Sequence, residues 1–371
     1  MNKFLTLTAE QRRAVFERVG VNVGLPMQAV EKDFWVTIIL QTLFSLPVAE
    51  HLIFKGGTSL SKAWGLINRF SEDIDLAVNP IYLGAKEGDL TKKQIKKLRK
   101  ASSLFVSEQL TPMLRTRLDE LGLLAFLHVE AQPDGEGDNT YPEPRQIYVR
   151  YQSVFDKPLT YLRPDVVLEV SARSLIEPSM PTHVNCILAD YAPIQPLCDA
   201  IISTAIPAKT MVEKMFLLHE LFSVPGHGMQ ADRKSRHLYD LYQMMQQPFA
   251  AEAIADDALW ETIRHHREVF TSVQGVDYSR DIRTRICLLP REDIAAIWQK
   301  DYEVMRSSMI HSSAPTWAEL IKQITILQSS SGSKEPRSAL ESRRVSLGAH
   351  WVDKRESSLL RRLERGRETG L

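Results

Sequence analysis

The sequence predicts an α/β (α+β) protein in which a mixed sheet with flanking helices precedes a helical half, and three observations predict it. Short apolar runs with β-branched ends lie at residues 52–54 and 74–78, with further strand candidates at 123–129, 146–152 and 164–170. The turn-rich stretch PDGEGDNTYPEP joins the candidates at 123–129 and 146–152, which makes a mixed or antiparallel sheet edge. From Ala208 onward apolar residues recur at helical spacing instead.

The elements follow in order. Residues 9–19 carry a short helical pattern, and Trp35, Ile38, Ile39, Leu40 and Leu43 give an amphipathic helix from about Met27 to Phe44, closed by Pro47. The run at 52–54 ends at Lys55-Gly56-Gly57, after which Thr58 or Ser59 caps a helix reaching about Ile67. Residues 86–100 hold seven basic residues against two acidic ones and open a long helix continuing through Leu104, Leu110 and Leu114. Residues 183–188 offer another strand. The interruption APIQP then places a boundary between Tyr191 and Pro207, with helices from Ala208, along Leu238, Leu241, Tyr242 and Met245, and from about Asp256 to Phe270. These marks divide the chain into a core at 1–200, a helical domain at 201–315 and a charged tail at 316–371.

Composition sets limits on function. Among 371 residues, 46 lysines and arginines balance 46 aspartates and glutamates, so any contact with a polyanion is local. Cys186, Cys198 and Cys287 are too few and too far apart for a thiolate zinc site or a disulfide framework. The N-terminal residues lack a signal-peptide pattern and no apolar stretch is long enough to span a membrane. The expectation is a cytoplasmic protein without a membrane partner.

The chemistry concentrates in FKGGTSLSKAWGLINRFSEDIDLAV, residues 54–78. Gly56 and Gly57 leave backbone amides bare at the start of a helix, which suits phosphate. Asp73 and Asp75 flank Ile74 at a strand start, where a period of two places both carboxylates on one face. Paired oxygen ligands suit magnesium, which leaves positions for substrate phosphates. Neither a Walker loop nor a dinucleotide fingerprint is present. Transfer of a nucleotidyl group fits better. In RPDVVLEVSAR, Asp165, Val167 and Glu169 share one strand face while Val166, Leu168 and Val170 share the other. Glu169 is the third metal carboxylate or a general base, with Asp165 in that role, or an ion pair with Arg163 or Arg173, as alternatives.

In the helical half Lys209 and Glu213 stand one turn apart, Lys214 follows, and Arg233, Arg236, His237 and Asp240 form one polar stripe. This is a salt-bridged face, or else Lys214 neutralises a triphosphate or holds a partner carboxylate, Asp240 orients it, and the basic residues hold phosphates. His265 and His266 read as surface residues. The six basic residues between Lys92 and Lys100 form a solvated helix or an RNA-backbone contact.

EKDFWVTIILQTLF followed by FKGGTSLSKAWGLINRFSEDIDL resembles the nucleotidyltransferase family that contains the AbiEii toxins of abortive-infection, type IV toxin-antitoxin systems. The resemblance covers roughly residues 5–300 and returns at Glu213-Lys214 and at Arg236 to Asp240. It implies a DNA polymerase β-like nucleotidyltransferase core joined to a helical bundle. It assigns Gly56, Gly57 and Thr58, with Lys55, to a nucleotide-binding turn, and Asp73, Asp75 and Glu169 to a metal site for Mg2+ or Mn2+. Arg69 and Ser71 match the arginine and serine before the aspartates and are implied, with Lys214, among the nucleotide-holding residues. Lys214 and Asp240 match a lysine and aspartate associated with activity, and Arg236 joins the nucleotide-holding set. The implied reaction moves NMP from a nucleoside triphosphate to an RNA, such as a tRNA 3′ end, or to a protein hydroxyl. A cognate antitoxin would act without a stable complex, and no DNA readout is expected. The loop SVPGHGMQA, residues 223–231, and the chain after about 315 depart from the family pattern. A small-molecule nucleotidyltransferase of the antibiotic-modifying sort and an inactive nucleotide-binding regulator are the alternatives.

Overall fold

The computed structural model describes residues 3–71, 73–136, 139–156, 165–191, 199–310 and 314–332. The partner Arg163, Cys198 and the charged segment from 333 lie outside the described residues. A seven-stranded mixed sheet organises the first half. Its strands are β1 (Leu52–Lys55), β2 (Ile74–Val78), β3 (Leu127–Ala131), β4 (Arg145–Tyr151), β5 (Asp165–Ser171), β6 (Ser179–Asn185) and β7 (Asp199–Ala205), in the order β3-β4-β5-β2-β1-β7-β6. β2 runs parallel to β5 and β1 parallel to β7; the other neighbours are antiparallel.

Three strands differ from expectation for physical reasons; β3 begins four residues after the start of its candidate because residues 123–126 close a turn, the Phe126 amide donating to the Leu123 carbonyl at 2.9 Å. β7 occupies the stretch read as a boundary, because the exposed Ile201 breaks the alternation that marks a half-buried strand. β6 lies four residues earlier than its candidate, and three of its seven residues, Met180, Pro181 and His183, are exposed, so little apolar pattern marks it. The sheet therefore runs through the expected division at residue 200 and ends just before the helices.

Helix α1 (Ala9–Val23) starts on a capping box between Thr8 and Gln11. Helix α2 (Met27–Leu43) is not amphipathic: 14 of its 17 residues are buried, Glu31, Lys32 and Asp33 among them. It runs through the core, and its acids act as internal staples. Glu31 accepts hydrogen bonds from the Ser153 hydroxyl at 2.6 Å and the Val154 amide at 2.9 Å. Asp33 accepts from the Ile187 amide at 2.7 Å and pairs with Lys62. A buried carboxylate is tolerated only with such partners.

Helix α3 (Gly56–Lys62) begins at the glycines themselves and ends five residues short of Ile67. Helices α4 (Lys92–Phe105) and α5 (Thr111–Glu120) make one rod through a π turn at Val106–Leu110. The helical half holds α6 (Pro207–Phe222), α7 (Arg236–Met244), α8 (Phe249–Ala255), α9 (Asp257–Phe270), α10 (Glu292–Met309) and α11 (Trp317–Gly332). Leu320, Ile324 and Leu327 bury one face of α11, so the first part of the stretch expected as tail is packed helix. One hydrophobic cluster joins the sheet with α1, α2, α4 and α5; a second joins the helical half to Leu60 and Ile67. The segment between α3 and β2 is thus held by both. Among the described residues no helix is long and apolar enough to cross a membrane.

Candidate active site

Register across the sheet assembles a polar row. Lys55 pairs with Asp75, Asp75 with Glu169, and Glu169 with Gln146, so four strands present these side chains on one face. Their neighbours Ile74 and Leu168 are fully buried on the other face. The alternation in β5 places Asp165, Val167 and Glu169 opposite the core positions Val166, Leu168 and Val170. Gln146 Nε2 donates to Glu169 Oε1 at 2.8 Å, and the Tyr148 hydroxyl donates to Gln146 Oε1 at 2.6 Å. Asp165, at the far end of β5, is opposite Arg150.

The glycine pair has a steric reason in this setting. A Cβ on Gly56, which sits at φ +77, would lie 1.9 Å from Asp75 Oδ2. One on Gly57 would lie 2.5 Å from Arg69 Nη2 and 3.1 Å from Ser71 Oγ. Glycine lets the turn close on the carboxylate and on the segment leading to it. Thr58 does not cap the helix; its hydroxyl donates to the Asp73 carbonyl and lies 2.8 Å from Ser71 Oγ. Thr58 and Ser71 therefore fix where Asp73 enters β2.

No ligand accompanies the chain, so the test of a metal is the donor set. Asp75 and Glu169 are adjacent oxygen donors on one face, and Asp73 stands two residues before Asp75, a set of the kind magnesium takes alongside substrate phosphates. The three do not form a preassembled cluster: among the described residues no group of three or more His, Cys, Asp or Glu is placed to hold a metal ion. Asp73 instead lines the cleft beside Arg233 and Arg236.

Behind that cleft is a buried ionic knot. Asp240, fully buried, accepts from Arg69 Nε at 2.7 Å and Nη2 at 2.9 Å and pairs with Lys214 Nζ at 2.9 Å. Burial alone would raise the Asp240 pKa, but Arg69 and Lys214 hold it well below the carboxylate range. Lys214 Nζ also lies 3.2 Å from His237 Nδ1. Burial first, then the charges of Lys214 and Arg236, push the His237 pKa well below its ordinary value, so Nδ1 accepts the lysine proton. Burial lowers the Lys214 pKa as well, against the pull of Asp240. Arg69, expected among the nucleotide-holding residues, is thus a strut that ties the α3–β2 segment to α7. Its forked guanidinium is already matched to a carboxylate.

On α6, Lys209 pairs with Glu213 at 3.2 Å. Burial would raise the Glu213 pKa; Lys209 and Lys55 outweigh it and hold the group below its usual value. That influence of Lys55 brings the polar row of the sheet close to α6. A cleft of about 670 Å³ lies there, lined by Asp73, Leu217, Arg233, Arg236, His237 and Arg267 among others. Sequence reasoning missed Arg267, whose guanidinium is gripped by the buried Glu220, itself a hydrogen-bond acceptor from the Tyr278 hydroxyl at 2.8 Å. His266, read as a surface residue, is half-buried and stacks on Phe270, and burial pushes its pKa down to about 4. His265 does reach solvent, bonded to Asp89 at 2.6 Å. On α4, Arg99 is spent on the Tyr141 carbonyl and Asn139, and Lys100 covers the Tyr141 ring.

A mixed sheet carrying paired carboxylates, with Asp73 just before them lining a cleft beside Arg233, Arg236 and Arg267, is the frame of a nucleotide-transferring protein. Family comparison makes it specific: residues 38–323 match the model described as nucleotidyl transferase AbiEii toxin, type IV toxin-antitoxin system, and the chain belongs to that family. Among solved structures it is similar to MenT4, a nucleotidyltransferase toxin from Mycobacterium tuberculosis H37Rv, with a TM-score of 0.43 at 17% identity, covering 88% of this chain and 98% of that one. No curated protein matches the sequence.

Proposed function

We propose that the chain transfers NMP from a nucleoside triphosphate to a hydroxyl on RNA, such as the 3′ end of a tRNA, or on a protein, and releases pyrophosphate. The observation that carries this reading is the register pairing of Asp75 with Glu169 on the sheet face beside a cleft holding Arg233 and Arg236. The acceptor oxygen forms a new bond to the α-phosphorus, the bond to the bridging oxygen of pyrophosphate breaks, and the hydroxyl proton passes to a base. Glu169, oriented by Gln146, is the residue for that proton, or would be a ligand of a bound metal ion.

Asp73, Asp75 and Glu169 would hold Mg2+ or Mn2+, which supplies charge neutralisation to the phosphates. Arg236 and Arg233 hold the phosphate tail, and the Lys55-Gly56-Gly57-Thr58 turn with Ser71 positions Asp73 and Asp75. Lys214 and Asp240 set the cationic wall. In the cytoplasm such a reaction would act as the toxin of a type IV system, opposed by an antitoxin that need not bind it.

The test is incubation of the purified protein with each labelled NTP, magnesium and total RNA, followed by separation of RNA, protein and small molecules. Label in RNA or protein with pyrophosphate release is expected. Label in small molecules alone would indicate an antibiotic-modifying type of enzyme, and nucleotide binding without pyrophosphate an idle regulator; either outcome rejects the proposal.

A further inference from the structure

The cleft has two chemically different ends. Asp73, Arg233 and Arg236 line both the cleft and a small cavity adjoining it, whose other walls include Arg69 and Ser71. Leu217, Leu221, His227, Gly228 and Val273 line the cleft alone. The shared lining is ionic, while the part lined by the cleft alone has an apolar end made by Leu217, Leu221 and Val273, bordered by the charged Glu220, Asp232, Lys234 and Arg267. Glu220 and Arg267, bonded to each other, form the polar side of the apolar end.

The loop at residues 223–231 contributes His227 and Gly228 to the lining of that end. Its position is fixed. The Trp298 indole donates to the Gly228 carbonyl at 2.8 Å, and Arg291 donates to the Val224 carbonyl at 2.9 Å. Gly228 sits at φ +73, and a Cβ there would lie 2.7 Å from the Leu221 carbonyl oxygen. His227 Nδ1 lies 3.2 Å from the Glu220 carbonyl, which can only accept; in the neutral ring the proton is then on Nδ1 and Nε2 is left as an acceptor.

We infer that this end of the cleft is the nucleobase subsite, with the base against Leu217, Leu221 and Val273, the pinned 223–231 loop as its wall, and His227 as the residue that reads a donor on the base edge. The inference rests on the nucleotide-transfer reading and deepens it. A flat, largely apolar ring with hydrogen-bonding edges is the ligand such a mixture suits, whereas a phosphate tail suits Arg233 and Arg236.

The experiment measures equilibrium binding of ATP, GTP, CTP, UTP and inorganic tripolyphosphate to the full chain and to Leu217→Ala, His227→Ala and Arg236→Ala. Leu217→Ala should weaken all four nucleotides by about tenfold, the effect of emptying part of an apolar pocket. His227→Ala should change their ranking, and both variants should leave tripolyphosphate binding as it was. Arg236→Ala should weaken tripolyphosphate and nucleotides alike. Circular dichroism verifies that each variant is folded, and His227→Gln, which keeps a side-chain acceptor, covers a failure of His227→Ala to fold. If the wild-type chain binds no nucleotide, the transfer reading falls and this inference with it. If it binds nucleotides and the Leu217 and His227 variants bind them unchanged, or lose tripolyphosphate equally, only this inference is overturned.

Discussion

Two sets of charges in this protein meet very different environments. On the sheet face, Asp75 and Glu169 are half-buried neighbours on parallel strands. Asp240 is sealed between Arg69 and Lys214, with no exposure at all. A carboxylate saturated by two cations holds elements together and has little capacity left for a ligand. A partly open pair of carboxylates costs less to maintain and can take on charge from outside. The contrast separates the residues proposed for the chemistry from those that hold the cleft in shape.

The sharpest break in that contrast comes from Asp240→Asn. It leaves Arg69 and Lys214 buried without their shared anion, and a broken buried ion pair costs about 3–5 kcal/mol. Urea unfolding should show that loss, and a loss below about 1 kcal/mol would place the knot among surface-like pairs. Gly56→Ala comes next. The left-handed turn alone costs about 1–2 kcal/mol, and the new Cβ at 1.9 Å from Asp75 Oδ2 must displace that carboxylate. Nucleotide transfer should fall further than stability does; equal falls would show the turn to be structural only.

A smaller effect is expected at Gln146→Leu, which removes the donor that orients Glu169. The transfer rate should drop about tenfold with stability intact, as for residues that orient a ligating or catalytic group. An unchanged rate would separate Gln146 from the site.

The mildest is a pH effect. Folded His266 has a pKa near 4 against an ordinary 6.5, so as pH falls through that window the unfolded chain binds a proton that the folded chain refuses, and stability declines. His266→Gln should flatten the decline between pH 6.5 and 4. The Asp240 contribution survives there, because its folded pKa is depressed below the ordinary 3.8 and its loss begins only at more acid pH. An unaltered slope in the His266 variant would assign the window to His237 or other groups.

The legible parts of this molecule are those whose cause is local. β2 and β5 could be read because a period of two is written in Ile74–Val78 and Asp165–Ser171 themselves, and Asp75 and Glu169 then had to share faces with known character. The parts that could not be read have distant causes. Nothing within α2 says that Glu31 will be met by Ser153 and Val154, or Asp33 by Lys62 and Ile187, so a buried helix looked amphipathic. The glycines suggested a turn, but their steric necessity depends on Asp75 and Arg69 arriving from 12–19 residues further on. Arg69 looked like a phosphate ligand because its partner Asp240 is 171 residues away.

The most direct test of the division between working and holding charges is Asp75→Asn, measured for nucleotide transfer and for unfolding free energy in the same preparation, beside Asp240→Asn. Transfer is expected to be lower by about a thousandfold or more in Asp75→Asn, since the neutral amide would weaken the hold on the metal ion that neutralises the phosphates, with unfolding free energy within about 1 kcal/mol of wild type. Wild-type transfer by Asp75→Asn, or an unfolding loss as large as that of Asp240→Asn, would contradict that division.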